Sequence, residues 1–263
     1  MRTTEEQGNI SMAMAERREH LVEFINKEGN VTFAQLKQEF PDVSEMTLRT
    51  DLKTLDQQRQ IIRVHGGAKS VGFAVGTDDL ITRRVERRSQ EKTIIAQKAA
   101  RLIHPGHTIF IDSGSTTTAL AAAMEDMDLL VFTNSLTVAS ELARLERTKT
   151  FVVGGRLNRY SKSTTGARAI EAVRYMTFDH AYLGITGYQR GEGFSVGSDD
   201  EAVFKATLVE RSHKCVVLMD SSKEGRPSTF RVCDLPSVDV VVSDGGLSND
   251  FVAACEDADI RLL

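Results

Sequence analysis

Asp112-Ser113-Gly114-Ser115-Thr116-Thr117 places a carboxylate, a glycine and four hydroxyls in six consecutive positions. The apolar run Thr108-Ile109-Phe110-Ile111 precedes it and the helix-forming series Ala119-Leu120-Ala121-Ala122-Ala123 follows, so the pattern predicts strand, tight loop and helix. Such a loop gathers unpaired backbone N–H groups, hydroxyls and the positive end of a helix dipole at the carboxyl edge of a sheet, a setting for phosphate or another small anion. The alternative is a βα turn whose hydroxyls only cap the helix. There is no Gly-Lys-Ser/Thr, and Gly114 stands alone rather than in G-x-G-x-x-G spacing, so neither a P-loop nor a dinucleotide fingerprint is present.

The elements that must carry this loop alternate along the second part of the chain. Short apolar runs end in polar residues at Leu129–Asn134, Thr150–Gly155, His180–Gly184, Cys215–Asp220 and Val238–Asp244, with helical patterns near Ala167–Tyr175, Asp200–Arg211 and Asn249–Ala258 between them. That alternation argues for an α/β domain with a mainly parallel sheet buried on both faces, and it brings the polar strand ends to one edge. A charged pattern from about Leu80 to Ile103 reads as one long helix, in which Arg83–Arg88 is a solvated face or a segment that approaches DNA backbone.

Before it, residues 1–13 read as a polar leader. Two short amphipathic helices follow: one carries Leu21, Val22, Phe24 and Ile25 and stops at Gly29, and the next is capped by Thr32 with Gln35 three residues on. Ser44 caps a third, whose inward positions are expected at Met46, Leu48, Leu52 and Leu55. Ile61–Ala68 alternates and turns at Gly66-Gly67 as a β-hairpin. Three helices and a hairpin make a winged helix-turn-helix whose third helix enters the major groove and whose wing lies along the backbone. Charge alone does not lead there, because residues 1–72 hold ten basic and eleven acidic side chains. The basic ones cluster late, at Arg49, Lys53, Arg59, Arg63 and Lys69, which a solvated helix face also explains.

At 263 residues and 41% hydrophobic content the chain has room for one ordinary and one small domain, and its net charge of -4 carries no global sign of nucleic-acid binding. Cys215, Cys233 and Cys255 are widely spaced and read as free thiols of a reducing cytosol. The polar N-terminus has no signal-peptide pattern, and no stretch is long and apolar enough for a membrane span, so a cytoplasmic protein is expected.

Val43-Ser44-Glu45-Met46-Thr47-Leu48-Arg49-Thr50-Asp51-Leu52, Leu55 and Ile62–Ala68 resemble the DNA-binding signature of the DeoR family of bacterial transcriptional regulators. The resemblance continues through Glu91-Lys92, Asp112–Thr117, Thr133-Asn134, Gly154-Gly155 and Asp220–Lys223, in the family's order over nearly the whole chain. It departs at Thr50, where the family usually has a basic residue, and at Phe40–Ser44, which is one residue longer than usual in the turn. The resemblance implies an N-terminal winged helix-turn-helix joined to a larger α/β sensor domain similar in fold to ribose-5-phosphate isomerase. It also implies a homo-oligomer, dimer or tetramer, that represses a carbohydrate operon and responds to a phosphorylated sugar. The corresponding divisions are leader 1–13, DNA-binding domain 14–72, hinge 73–80 and sensor and oligomerisation domain 81–263.

On this reading Ser44, Glu45, Met46, Thr47, Arg49, Thr50, Lys53, Arg63, His65 and Lys69 face operator DNA. Ser113, Gly114, Ser115, Thr116 and Thr117 hold a phosphate, while Asp112, Thr133, Asn134 and Asp220 offer groups to sugar hydroxyls. Lys205 and Lys223 supply cations, and Gly154, Gly155 and Glu201 complete the effector set. Each has a plainer role open to it: Asp112 and Asp220 as caps, Asn134 as a loop tie, and Glu201 with Lys205 as a surface i,i+4 pair. Arg156 reaches either the same pocket or solvent. No metal or cofactor is expected. The rival is a sugar-phosphate isomerase-like enzyme, with Asp112, Glu201 or Asp220 and Lys205 or Lys223 as acid–base groups, but it leaves the winged helix unexplained. A regulator that uses its sensor domain only to oligomerise is a third reading.

Overall fold

A computed structural model describes residues 4–58, 60–64, 66–70 and 81–263, in two compact units, Met1–Asp79 and Leu80–Leu263. The segment 73–80 read as a hinge, and the single residues Arg59 and His65, lie outside the described residues.

In the first unit, α1 (Thr4–Glu28) is followed by β1 (Asn30–Thr32), α2 (Phe33–Glu39), α3 (Glu45–Gln57) and the hairpin β2 (Ile61–Val64) and β3 (Gly67–Ser70). The helix therefore begins at Thr4, where the sequence suggested a separate leader: no breaker divides the polar stretch from the amphipathic one. Thr32 and Gln35 form a reciprocal capping box at the start of α2, and the Ser44 hydroxyl accepts from Thr47 N–H at the start of α3. Leu48, Asp51, Leu52 and Leu55 form the buried stripe of α3, at i, i+3, i+4 and i+7. Met46 is off that stripe and 75% exposed, which corrects its expected inward position. Asp51 is held by Arg17 and Arg18 of α1, each Nε 2.7 Å from a carboxylate oxygen. This two-armed ion pair fixes the back of α3 to α1. The wing has a third strand that the alternation did not reveal, because β1 pairs antiparallel with β3. A Cβ at Gly67 would fall 2.0 Å from Val31 O, so the close pairing of β1 depends on the missing side chain.

In the second unit, seven strands among the described residues form one parallel sheet in the order β15-β14-β12-β9-β4-β5-β6. They are β4 (Thr108–Ile111), β5 (Leu129–Thr133), β6 (Thr148–Val152), β9 (Phe178–Gly184), β12 (Ser212–Leu218), β14 (Val240–Val242) and β15 (Arg261–Leu262). The strands are apolar on both sides, as burial on both faces requires. Phe110, Ala181, Leu183 and Val217 pack on one side with α8 (Ala167–Arg174), α9 (Asp199–Glu210) and α10 (Asn249–Asp257). Ile109, Ile111, Tyr182 and Val216 pack on the other with α5 (Ser89–Ala100), α6 (Ser115–Ala123) and α7 (Leu136–Leu142). The long helix expected over Leu80–Ile103 is instead α4 (Ile81–Glu86) and α5, broken at Arg87-Arg88. Arg88 adopts a left-handed conformation, φ 51°, and the Lys92 ammonium donates to both Arg84 O and Arg87 O across the break.

Two further pieces were not anticipated from the sequence: the antiparallel hairpin β7 (Arg156–Asn158) and β8 (Ser163–Thr165), and an antiparallel sheet of β10 (Gly187–Gln189), β11 (Gly193–Val196) and β13 (Phe230–Cys233). All three cysteines are free, with Cys215 and Cys255 buried. No helix among the described residues is long and apolar enough to cross a membrane.

Candidate functional site

In the sensor unit the order of strands brings the loop after β4 to the centre of the carboxyl edge. Gly114 takes φ 152° and ψ 164°, a combination open essentially only to glycine. That turn starts α6 immediately, with no side chain capping the first-turn N–H groups. Ser113, Ser115, Thr116 and Thr117 are all buried. The Thr117 and Thr118 hydroxyls donate to Gly114 O at 2.9 and 2.7 Å and brace the turn. No hydrogen bond from the hydroxyls of Ser113, Ser115 or Thr116 is present among the described residues, which leaves them available.

Asp112 sits beneath this loop, 1% exposed. Its Oδ2 accepts from the Lys205 ammonium and from Gly184 N–H at 3.2 Å. Its Oδ1 is buried with no partner among the described residues. Lys205 and Glu201 are both buried on α9, so this i,i+4 pair is no surface decoration. One strand over, Asn134 Nδ2 donates to Thr164 O at 3.1 Å, while its Oδ1 is likewise buried and unpartnered. Phe110 pairs with Phe132 in the β4–β5 register, so Asp112 and Asn134, each two residues later, follow the carboxyl ends of neighbouring strands. Two buried acceptors that lack donors among the described residues can accept from O–H groups, of water or of a ligand.

On the other side, Asp220 caps the 3-10 turn Ser221–Lys223 by accepting from Ser222 N–H at 3.2 Å. Burial opposes its charge, but Lys223, the Ser222 hydroxyl, Arg88 and Lys92 hold its carboxyl below the usual range. Lys223 is pushed down to about 8 by burial, with Arg84 and Lys205 adding to the shift and Asp220 opposing it. Lys92, whose neighbours include both Lys223 and Asp220, is lowered to about 8, again by burial first. The Lys223 ammonium makes no hydrogen bond among the described residues, while its backbone N–H donates to Asp220 O at 3.1 Å. The Arg84 guanidinium lies 3.9 Å from where a Cβ on Gly114 would be, over the start of α6. Arg84 and Lys205 thus border the loop, with Lys223 and Lys92 close enough to feel their charge or each other's. This arrangement suits an anion that carries hydroxyls.

Other expected members fall elsewhere. The Thr133 hydroxyl is fully buried and accepts from Ser135 N–H at 3.0 Å, so it is used inside its own turn. Gly154 and Gly155 follow the edge strand β6, with β5 between them and β4, and both are exposed. Arg156 is 76% exposed and paired with Asp200, and the solvent reading holds for it. Arg84 and Lys92 were not assigned to the pocket from sequence. Glu91-Lys92 was a motif without a role, and Arg84 belonged to an arginine run whose plain reading is a solvated face.

The DNA-binding unit exposes a compact polar surface. Ser44, Glu45, Met46, Arg49, Thr50, Lys53 and Arg63 are exposed, and Thr47 and Lys69 half-buried. Arg49 stacks over the Phe33 ring at 4.2 Å, with Glu45 3.8 Å away, so its guanidinium is held at the surface of α3. The Thr50 hydroxyl donates to Met46 O at 2.8 Å.

The profile described as the DeoR-like helix-turn-helix domain matches residues 17–72, and that of the DeoR C terminal sensor domain matches residues 87–245. The chain belongs to the DeoR family. It is a DNA-binding transcriptional regulator and not an enzyme, which answers the isomerase alternative. Relatives include the putative aga operon transcriptional repressor of Escherichia coli O157:H7, 30% identical over 95% of this chain and 93% of that protein. The glycerol-3-phosphate regulon repressor of Escherichia coli K12 is 30% identical over 89% and 92%. A ribose 5-phosphate isomerase A from Methanocaldococcus jannaschii is similar in structure over 52% of this chain and 54% of its own, at 16% identity and a TM-score of 0.37.

Proposed function

We propose that this DeoR-family regulator represses a carbohydrate-catabolism operon and is released from operator DNA by a phosphorylated sugar bound at the Asp112–Thr117 loop. The observation that carries the reading is the pairing of two chemistries at one edge. The first turn of α6, the loop hydroxyls and the cations Lys205 and Lys223 suit a phosphate. The unpartnered Asp112 Oδ1 and Asn134 Oδ1 suit sugar hydroxyls. The named roles of the relatives, an aga operon and a glycerol-3-phosphate regulon, support a phosphorylated carbohydrate intermediate as the signal.

Operator contacts are assigned to Ser44, Glu45, Met46, Thr47, Arg49, Thr50 and Lys53 in the cap and exposed face of α3, with Arg63, His65 and Lys69 on the wing. Phe151 and Val152 on the edge strand β6 and Leu157 on the β7–β8 hairpin stand about half-exposed, which supports a homo-oligomer, and the protein acts in the cytoplasm where its operator is.

Calorimetric titration with a panel of sugar phosphates, their deoxy analogues and inorganic phosphate tests the pocket. The effector should bind at least tenfold more tightly than its deoxy analogue, because that analogue leaves a buried acceptor unpaired, and Asn134→Ala should narrow the difference. Equal affinity for both, unaltered in Asn134→Ala, would remove Asn134 and Asp112 from the hydroxyl site.

A further inference from the structure

The pocket's cationic wall is not supplied by the sheet alone. Arg84 lies on α4, and α4 follows directly on the segment that joins the sensor unit to the DNA-binding unit. One observation ties α4 to the anion loop, and two more show how the break between α4 and α5 is held and how it reaches Asp220. The Arg84 guanidinium comes within 3.9 Å of the position a Gly114 side chain would take. Lys92, 6% exposed, crosses the break between the helices to hold Arg84 O and Arg87 O. Arg88, in its left-handed conformation, turns its Nε to 3.9 Å from Asp220 Oδ1 and its Nη1 to 3.1 Å from Glu91.

The geometry points to Arg84 as an effector-binding residue borne on the first helix of the sensor unit, and to residues 81–92 as the element that reports occupancy to the DNA-binding unit. This inference rests on the proposed anion site at Asp112–Thr117. Arg84 and Lys205 oppose the charge of Lys223, and Lys223 and Arg84 that of Lys92, while Asp112 pairs with Lys205 and Asp220 offsets part of the opposition. With an anion bound, Arg84 gains a charge-assisted contact over the first turn of α6, and the Lys92 bracket carries that restraint through both ends of the helix break. A ligand shifts an equilibrium only through contacts that differ between two states. Arg84 supplies such a contact on the segment nearest in sequence to the DNA-binding unit, whereas Lys205 and Lys223 lie more than 100 residues further along the chain.

Amide hydrogen exchange on the full chain tests this, first with inorganic phosphate against chloride of equal ionic strength, then with a hexose 6-phosphate. The expected result is exchange slowed by about tenfold both at 113–118 and at 81–92. In Arg84→Gln, protection at 113–118 should persist at higher ligand concentration while protection at 81–92 is lost. Protection confined to 113–118 in the parent protein would overturn the inference and leave the anion site standing. Unchanged protection of 81–92 in Arg84→Gln would overturn the role of Arg84. Protection at neither segment with either ligand would overturn the anion site and this inference together.

Discussion

Two lysines beside the anion loop, Lys92 and Lys223, have values near 8 because burial and neighbouring cations oppose their charge. A bound phosphate favours the charged form of each and raises both values, so the complex holds more protons than the free protein above about pH 8. Affinity must therefore fall as pH rises beyond that point. On the acid side a phosphate monoester dianion takes up a proton at about pH 6, so a site built for the dianion weakens there as well. Effector affinity measured by calorimetry should peak between those limits, and Lys223→Met should bind more weakly and flatten the alkaline limb. An affinity independent of pH from 7 to 9 would show that neither lysine touches the anion. The residue types of this pocket were legible in sequence wherever a strand end fixed them, as at Asp112, Asn134 and Asp220. Arg84 and Lys92 were not, because their approach depends on a helix break that periodicity reads through: the interrupting residue, Arg88, is a non-glycine in a left-handed conformation.

At the scale of elements, the strand–loop–helix from Thr108 to Ala123 needs Gly114 for its backbone and not only for space. Gly114→Ala forces a Cβ into a region of φ and ψ nearly closed to it, at a cost of about 1–3 kcal/mol, and sets that Cβ 3.3 Å from Thr117 Oγ1. Urea unfolding should register the loss, and effector binding should drop with it. A variant with parental stability and affinity would mean that the loop reaches its shape by another route. The parallel sheet and the three helices of the DNA-binding unit followed from period and capping, and Thr32 and Ser44 cap where their sequence contexts place them. The third wing strand, the β7–β8 hairpin and the β10-β11-β13 sheet escaped because these strands of three or four residues carry little apolar alternation, and β1 and β13 find their partners far along the chain. The exposed Met46 shows the same limit on a helix: a hydrophobic residue at the solvent face cannot be told from a core residue by type.

For the whole molecule, operator and effector act on one protein through two separately folded units, and linkage requires that each weaken the other's binding by the same factor. A loss of about tenfold in operator affinity corresponds to roughly 1.4 kcal/mol of coupling, well within what a few charge-assisted contacts at Arg84, Lys205 and Lys223 supply. The most direct measurement is a gel-shift titration of the full chain on the DNA upstream of its own coding region. It would be run across a panel of phosphorylated sugars, each beside its unphosphorylated counterpart. One phosphorylated compound should lower specific operator affinity by about tenfold or more while its counterpart leaves it unchanged. Specific binding that no phosphorylated sugar relieves, or that the unphosphorylated sugar relieves equally, would contradict a phosphate-sensing repressor.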